Sequence, residues 1–264
     1  MGSDLTAVVT GAAGGIGYAI AQRLADDGYR VWLLDRDEGG VEANTAALTE
    51  KGFLARHVAC DVTNKDSLQA AHDQIVAESG RVDVLAANAG VSSMRPFLEL
   101  TDQDWQRNID VNAKGAFLSL QVFGRTMTEQ LMIKDRSVRG KIVVTASMAA
   151  RQGAALLAHY SASKFAVLGL VQAVAREFAP SQVLVNAVNP GWVRTPMQDR
   201  EVEWEASLRE MTADEVRAEY VAHTPIGRLQ EPEDVASVVS FLANKDSDFL
   251  TGEAIEANGG AFIF

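Results

Sequence analysis

Short apolar runs alternate with longer segments of helical period along the chain, and this alternation constrains the fold more than any other feature. The runs are rich in Val, Leu and Ala and do not alternate with polar residues, which is typical of parallel strands covered on both faces. Seven runs are predicted strands: Ala7–Thr10, Arg30–Asp35, Ala55–Cys60, Val82–Asn88, Lys141–Ser147, Val183–Asn189 and Glu253–Ala257.

Helical patterns fill the intervals between these runs. They are predicted over Ile16–Asp27, Gly40–Lys51, Asp66–Ser79, Asp102–Met132, Tyr160–Ala179 and Pro232–Asn244. Strands that alternate with helices predict an α/β fold, a Rossmann-like doubly wound parallel sheet of about seven strands with helices on both faces. No linker, repeat or low-complexity segment interrupts the pattern, so residues 1–264 are predicted to form a single domain.

Residues 196–224 break this rhythm because they carry no strand pattern. Trp204, Met211 and Tyr220 are spread among charged residues there, which predicts one or two amphipathic helices inserted after the sixth strand. Ligands of open α/β sheets bind beyond the carboxyl ends of the strands. We therefore expect these helices to form a small lid over a substrate, the alternative being a surface decoration.

Composition excludes several classes of function. A net charge of −11 argues against binding to nucleic acid or to an anionic membrane, since both require a basic face. Neither a membrane-spanning stretch nor a signal peptide is evident, and the four histidines show no metal-ligand spacing. The sequence predicts a cytoplasmic protein without a metal site, with its single cysteine, Cys60, buried in an apolar run.

A glycine-rich turn, Thr10–Gly17, follows the first predicted strand and opens the first predicted helix. Gly11 permits the tight turn, Gly15 removes a Cβ that would obstruct a pyrophosphate, and Gly17 lets the helix approach the strand. The helix N-terminus then offers unpaired amides and a partial positive charge. The turn predicts a dinucleotide site.

Asp35 ends the second strand, where a carboxylate can accept hydrogen bonds from ribose hydroxyls and repel a 2′-phosphate. Arg36 argues for a 2′-phosphate, because an arginine can bind that group. The sequence predicts NAD rather than NADP, with a strand-end helix cap as the alternative role for Asp35. Asp61 and the run Asn88-Ala89-Gly90 end the next two strands and are candidates for the adenine amino group and the adenine-ribose side.

Tyr160 and Lys164 form a Tyr-x-x-x-Lys unit, with Ser147 thirteen residues before the tyrosine. Tyrosine ordinarily has a pKa of about 10, but an ammonium one helical turn away would favour the phenolate and lower that pKa. Ser147 ends the fifth strand and can donate to an oxygen that gains negative charge. These residues predict proton transfer to or from an alcohol oxygen; an amphipathic pair on a solvated face is the alternative.

Asn112 lies inside the long helix predicted from Asp102, where a polar, weak helix former requires a reason. A kink that holds a water feeding protons to Lys164 is one interpretation, and a surface position is the other. Beside the catalytic segment, Gln152 is a candidate to bind substrate hydroxyls, together with Arg151 and His159. Trp192 is a candidate to exclude water from the substrate.

Together these residues resemble the short-chain dehydrogenase/reductase family over essentially the whole chain. The matching elements are Thr10–Gly17, Asp35, Asp61, Asn88-Ala89-Gly90, Asn112, Ser147, Tyr160, Lys164 and Asn189-Pro190-Gly191. The resemblance implies a catalytic tetrad of Asn112, Ser147, Tyr160 and Lys164. It also implies that Val193 and Thr195 contact the nicotinamide carboxamide, and that the protein is a homotetramer paired through the helices that carry Asn112 and Tyr160.

The expected binding sets follow from the motifs and the resemblance together. Expected to bind the dinucleotide are Gly11, Gly15, Ile16, Gly17, Asp35, Arg36, Asp61, Val62, Asn88, Ala89, Gly90, Tyr160, Lys164, Pro190, Gly191, Val193 and Thr195. Expected to bind substrate are Ser147, Gln152, Tyr160 and Trp192. The chain departs from the family at Ala87, which replaces an asparagine and should loosen one contact that braces the sheet.

The segment from Thr195 to Ala236 is similar to acetoin reductases, butanediol dehydrogenases and bacterial polyol or sugar dehydrogenases. The resemblance implies NAD-dependent interconversion of a secondary alcohol, in a polyol, sugar or vicinal diol, and its ketone. A reductase of 3-oxoacyl thioesters or hydrophobic ketones is one alternative, although an acidic surface suits an acidic acyl carrier poorly. A dinucleotide-binding sensor without turnover is another.

Overall fold

The computed structural model describes residues 5–263. Its strands are β1 (Thr6–Thr10), β2 (Arg30–Asp35), β3 (Ala55–Ala59), β4 (Val84–Ala87), β5 (Gly140–Thr145), β6 (Val183–Pro190) and β7 (Ala254–Ala257). They form one sheet in the order β3-β2-β1-β4-β5-β6-β7, and every neighbouring pair is parallel. The predicted seven-stranded parallel sheet is confirmed. Residues 1–4 and 264 of the predicted domain lie outside the described part of the chain.

Helices cover both faces of the sheet. They are α1 (Gly15–Asp26), α2 (Glu38–Glu50), α3 (Lys65–Ser79), α4 (Asp102–Asn108), α5 (Gly115–Glu129), α6 (Ala158–Phe178), α7 (Pro196–Arg209), α8 (Ala213–Ala222) and α9 (Pro232–Ala243). Side chains alternate between the faces along each strand, so Ala7 and Val9 pack with α1, α2 and α9, whereas Val8 packs with α3, α5 and α6. The doubly wound α/β fold follows from this alternation.

The helix predicted over residues 102–132 is formed up to Glu129 but is not α-helical throughout. A π-helical segment, Ile109–Lys114, separates α4 from α5, and α5 ends at Glu129. Such π-segments are rare and occur mostly at functional sites. At the other end of α5 the Gln130 side chain donates to the carbonyls of Val82 and Arg139, which ties the chain to the sheet. The remaining predicted strands and helices agree with the structure to within two residues at each end.

The carboxyl edge of the sheet is braced by Asn88, the residue after β4. Its side chain donates to the Thr10 carbonyl at 3.2 Å and accepts from the Thr145 hydroxyl at 3.0 Å, which links three strands. The Thr10 hydroxyl in turn accepts from the amides of Asn88 and Ala89. Ala87 is packed in the apolar core, so the side chains of Asn88, Thr10 and Thr145 form this bracing between the strand ends. The order of the strands reverses between β1 and β4, where a crevice opens.

Helices α7 and α8 follow β6 and pack on each other around a small apolar cluster that includes Val202, Val216 and Tyr220. The indole of Trp192 stacks on the Tyr220 ring with centroids 4.9 Å apart. This contact fixes the two helices beside the carboxyl end of β6. The segment predicted as one or two amphipathic helices thus contains two, above the crevice.

Cys60 is buried, as expected, with 3% of its surface exposed. Burial raises the pKa of its thiol to about 11. Within residues 5–263, no helix combines the length and apolarity needed to cross a membrane. The same residues contain no cluster of three or more His, Cys, Asp or Glu side chains able to hold a metal ion.

Candidate active site

A cavity of about 420 Å³ occupies the crevice at the carboxyl edge of the sheet. Its floor is the glycine turn and the ends of β4, β5 and β6, and its roof is the first part of α7. The predicted residues that line it are Gly15, Ile16, Gly17, Asn88, Gly90, Ser147, Tyr160, Lys164, Pro190, Gly191, Trp192, Val193 and Thr195. One cavity therefore unites the two halves of the predicted site.

The glycine turn leaves no room for side chains on its inner side. A Cβ on Gly17 would lie 2.0 Å from the Gly11 carbonyl oxygen, and a Cβ on Gly11 would lie 2.7 Å from Ala89 Cα. Gly15 has φ +52°, a backbone conformation that favours glycine. Gly14, by contrast, has open space where a Cβ would stand. The turn packs tightly against the strands on one side and is open to the cavity on the other.

The residues present fit a dinucleotide. The N-terminus of α1 has no side-chain cap and no acidic residue in its first turn, so its amides remain available to an anion. Asn44 on α2 donates to the Ala12 carbonyl at 2.9 Å, which holds the turn in place from outside. An open glycine cradle at an uncapped helix N-terminus is the arrangement that receives a pyrophosphate.

Asp35 is half-buried at the end of β2, beside this cradle. One of its oxygens accepts from the Ala13 amide at 3.2 Å and the other from the Asp37 amide at 3.1 Å. Asp37, not Asp35, caps α2 by accepting from the Gly40 amide. The helix-cap interpretation of Asp35 is therefore wrong. Each oxygen retains a lone pair for a further donor.

The predicted adenine end is open. Asp35, Arg36, Asp61 and Val62 do not line the cavity, and Arg36 and Asp61 are exposed. Asp61 accepts from the amide and the hydroxyl of Thr63 at 2.9 and 2.8 Å. Val62 is packed in the apolar core, and Asp35 is half-buried as the last residue of β2. The cavity encloses none of the four.

Lys164 is 4% exposed, and its Nζ donates to the Thr145 carbonyl at 2.8 Å. The same Nζ lies 5.7 Å from the centroid of the Tyr160 ring. Burial lowers the pKa of Lys164 to about 8, because a charged ammonium loses its hydration there. The amine is therefore beside the phenol, at the end of β5.

The pKa of Tyr160 is raised above its ordinary value. Burial is the largest cause, the negative charge of Glu201 adds to it, and the Ser147 hydroxyl opposes it. The expectation that Lys164 lowers this pKa is not met in the structure, because burial dominates and the Lys164 amine is directed to the Thr145 carbonyl. The resting site thus favours the neutral phenol.

Ser147 follows β5 and caps the short 3₁₀ turn Met148–Ala150. Its hydroxyl oxygen accepts from the Ala149 amide at 3.1 Å. Because that bond uses a lone pair, the hydroxyl proton is free to be donated into the cavity. This is the geometry expected of a group that stabilises a substrate oxygen.

Asn112 lies in the π-helical segment and is 2% exposed, so the interpretation as a surface residue is wrong. Its amide accepts from the Val91 N–H at 2.8 Å and donates to the Val91 carbonyl and to the Ser163 hydroxyl, each at 2.9 Å. A point where Gly90 would carry a Cβ lies 3.3 Å from Asn112 Oδ1 and 3.6 Å from Lys164 Nζ. Asn112 therefore joins the loop after β4 to α6 close to the amine.

Three residues near the catalytic segment are not brought into the site. Gln152 is exposed and does not line the cavity. Arg151 pairs with Glu256 at 3.0 Å, and buried His159 shares a 2.8 Å hydrogen bond with the Ser93 hydroxyl. Besides Ser147 and Tyr160, the residues expected to bind substrate were Gln152 and Trp192, and of these two only Trp192 lines the cavity.

Several residues that line the cavity from α7 were missed by the sequence reasoning, among them Gln198, Arg200 and Glu201. With its amide oriented so that the nitrogen donates to the Val193 carbonyl and the oxygen accepts from the Val193 N–H, the Gln198 side chain makes two hydrogen bonds. These bonds fix the lid to the chain that follows β6. The spacing Gln198, Glu201 and Val202 marks one face of a helix, and this face would have identified them.

Comparison with known proteins agrees with this geometry. A family model described as Enoyl-(Acyl carrier protein) reductase matches residues 11–261. The (S)-acetoin-forming diacetyl reductase of Staphylococcus epidermidis is 36% identical over 256 residues, covering 97% of each chain. The chain therefore belongs to the short-chain dehydrogenase/reductase family of oxidoreductases.

Solved structures resemble the chain over nearly its whole length. An actinorhodin polyketide ketoreductase variant with NADPH is 34% identical with a TM-score of 0.93 and covers 100% of both chains. An NAD⁺-bound xylitol dehydrogenase is 33% identical with a TM-score of 0.90, covering 97% of this chain and 98% of that one. The fold and the nucleotide-binding character are common to both, whereas the cofactors differ.

Gly17→Ala tests the tight side of the cradle. Because the added methyl meets the Gly11 carbonyl, we expect the free energy of unfolding to fall by about 1–3 kcal/mol. Gly14→Ala is the matched control and should stay within about 1 kcal/mol of the parent protein, while binding dinucleotide less tightly. Chemical denaturation measures the free energy of unfolding, and a fluorescence titration with NAD measures the affinity. Equal stability of the two variants would contradict this tight packing.

Proposed function

We propose that the protein is an NAD(H)-dependent oxidoreductase that interconverts a secondary alcohol and its ketone, with Tyr160 as the general acid/base. The observation that carries this proposal is the single cavity that holds Ser147, Tyr160 and Lys164 beside the glycine cradle. A dinucleotide-binding sensor has no use for a phenol, a hydroxyl and an amine gathered in one cavity, so that alternative is disfavoured.

The proton path follows from the positions of these groups. In ketone reduction the Tyr160 phenol gives its proton to the carbonyl oxygen, and in alcohol oxidation the phenolate takes the hydroxyl proton. The Ser147 hydroxyl donates to the same oxygen as negative charge develops. A nicotinamide bound there supplies the hydride for reduction and accepts it in oxidation. Lys164 is placed to donate to the ribose hydroxyls and so to fix the distance between cofactor and phenol.

The segment after β6 supports the nicotinamide side of the proposed site. Val193 is buried and paired with the backbone of Gln230, and Gly191 donates its N–H to the Gln230 side chain at 3.0 Å. The Thr195 hydroxyl caps α7 by accepting from the Gln198 amide at 3.2 Å. These bonds hold the segment rigid where Val193 and Thr195 would meet the carboxamide.

NAD is the proposed cofactor because the surface around Asp35 is acidic. Asp37 and Glu38 stand beside it, and Arg36 is the one cation in that run. A 2′-phosphate would meet this negative charge, whereas ribose hydroxyls can donate to it. The similar structures contain NAD⁺ in one case and NADPH in another, so the preference rests on these side chains.

A polyol, sugar or vicinal diol is the proposed substrate. Support comes from similarity to a diacetyl reductase and a xylitol dehydrogenase, both named for compounds with oxygen on neighbouring carbons. Similarity to a polyketide ketoreductase supports the second candidate, a reductase of 3-oxoacyl thioesters or hydrophobic ketones. The net charge of −11 disfavours docking of an acidic acyl carrier.

Further features stay predictions. Helices α7 and α8 are proposed to act as the lid of one catalytic domain spanning residues 1–264. A homotetramer is supported by Phe117 on α5 and Phe165 on α6, which are 43% and 47% exposed on the helices expected to pair. A cytoplasmic location is proposed on the grounds of composition.

Tyr160→Phe tests the general acid/base. Loss of the proton donor should lower kcat/KM for the true substrate by about 100- to 10,000-fold, while NAD still binds. Tyr29→Phe is the matched control, because its hydroxyl bonds the Ala243 carbonyl away from the cavity. The absorbance of NADH in steady-state assays measures kcat/KM for both variants. Undiminished turnover by Tyr160→Phe would refute the proposed role.

Asp35→Asn tests the cofactor preference. The substitution removes the charge and leaves one acceptor oxygen, which serves either the Ala13 or the Asp37 N–H. The kcat/KM for NAD should therefore fall by about 10- to 100-fold, and the preference for NAD over NADP should become smaller. Asp26→Asn, an exposed acid at the end of α1, gives the same charge change elsewhere. A parent protein that prefers NADP, or an Asp35→Asn variant with unchanged selectivity, would overturn the assignment.

A further inference from the structure

The roof of the cavity carries a carboxylate that the proton path does not use. Glu201 on α7 lines the same cavity as Ser147 and Tyr160. Its negative charge raises the pKa of Tyr160 and that of Tyr220. The carboxylate is therefore within electrostatic reach of the atom at which the proton is exchanged.

Several acids of the lid are paired with arginines, and Glu201 is not one of them. Glu205 and Glu219 pair with Arg209, at 2.6 and 2.8 Å. No ion pair among residues 5–263 includes Glu201, although exposed Arg200 is its neighbour. Burial is the main cause that raises the pKa of Glu201. A partly desolvated carboxylate is thus kept at the substrate side of the cavity.

Ser92 directly follows Val91 of the cavity lining, and its hydroxyl is close enough to Glu201 to lower the pKa of that carboxyl. This effect is smaller than that of burial, so it does not replace the hydration that the carboxylate has lost. Glu201 therefore stands at the cavity with unused capacity to accept hydrogen bonds. A ligand with a hydrogen-bond donor would satisfy it.

The chemistry of that ligand group is restricted. A carboxylate accepts hydrogen bonds and does not donate them, so a ketone or ester oxygen placed against Glu201 would be unpaired. A cationic group is disfavoured because Lys164 and Arg200 line the same cavity. A neutral hydroxyl meets both conditions: it donates to Glu201 and brings no further positive charge.

We propose that Glu201 is a specificity-determining residue that accepts a hydrogen bond from a second substrate hydroxyl, on the carbon next to the reacting one. The site then selects α-hydroxyketones and vicinal diols over simple ketones and over 1,2-diketones, which lack a donor. This inference rests on the proposed alcohol–ketone function and adds the substrate class and the residue that recognises it.

Matched substrates test the proposal. The parent protein is assayed with NADH on acetoin, 2-butanone and diacetyl, and with NAD on 2,3-butanediol and 2-butanol. The same assays are run on Glu201→Gln, Glu201→Met and the control Glu203→Gln, an exposed residue of the same helix with the same change of charge. NAD affinity from tryptophan fluorescence reports whether each variant retains a folded site.

The parent protein should prefer the hydroxyl-bearing member of each pair. Glu201→Gln should lower the ratio of kcat/KM for acetoin to that for 2-butanone, and the ratio for 2,3-butanediol to that for 2-butanol, by about 10- to 100-fold. A change in the pKa of Tyr160 acts on both members of a pair alike and cancels in these ratios. Glu201→Met should reverse the preference, and Glu203→Gln should keep it. Equal losses on both members of a pair, or a parent protein without preference, would overturn the role of Glu201. NAD binding without turnover of any compound would instead refute the proposed function, and the inference with it.

Discussion

Removal of two titratable side chains from water is the constraint on which the site depends. Tyr160 and Lys164 stand one helical turn apart on α6, and burial drives each toward its neutral form by raising the pKa of the phenol and lowering that of the amine. The pKa of Lys164 is lowered from an ordinary 10.5 to about 8, which corresponds to about 3 kcal/mol of lost hydration. The Thr145 carbonyl compensates part of that loss and fixes the amine at the end of β5.

The surrounding elements serve to hold this pair against the cofactor cradle. The Asn112 amide requires the π-helical segment, which brings the loop after β4 onto α6. Asn88 ties the same loop to β1 and β5, so the glycine turn and the catalytic helix keep a fixed separation. From above, α7 adds the negative charge of Glu201. The phenol therefore shares its cavity with an amine and a carboxylate.

Much of this arrangement was predictable from the sequence. Uninterrupted apolar runs identified the strands of β1 to β7. Short motifs predicted the glycine turn and the group of Ser147, Tyr160 and Lys164, because each depends on local spacing. A kink at Asn112 was one of two interpretations of that residue, but the π-helical form was not predictable, because it depends on bonds from Asn112 to residues distant in sequence. Glu201 was missed for a related reason: in an amphipathic helix a glutamate resembles a surface residue until the packing of α7 directs it inward. The direction in which the pKa of Tyr160 is shifted was also predicted wrongly. Sequence spacing indicates a neighbouring charge, but it does not indicate how deeply the phenol is buried.

The dependence of both reaction directions on pH tests the central claim most directly. The groups that face the phenol are Lys164 on α6, Ser147 after β5, and Glu201 and Arg200 on α7. A raised pKa of Tyr160 keeps the acid form at neutral pH, so reduction should proceed well there and decline as pH rises, whereas oxidation should increase into the alkaline range. Replacing Glu201 with Gln should move the rise of oxidation to lower pH. An oxidation rate that is already maximal and flat below neutrality, or a rise that moves to higher pH in that variant, would contradict the account.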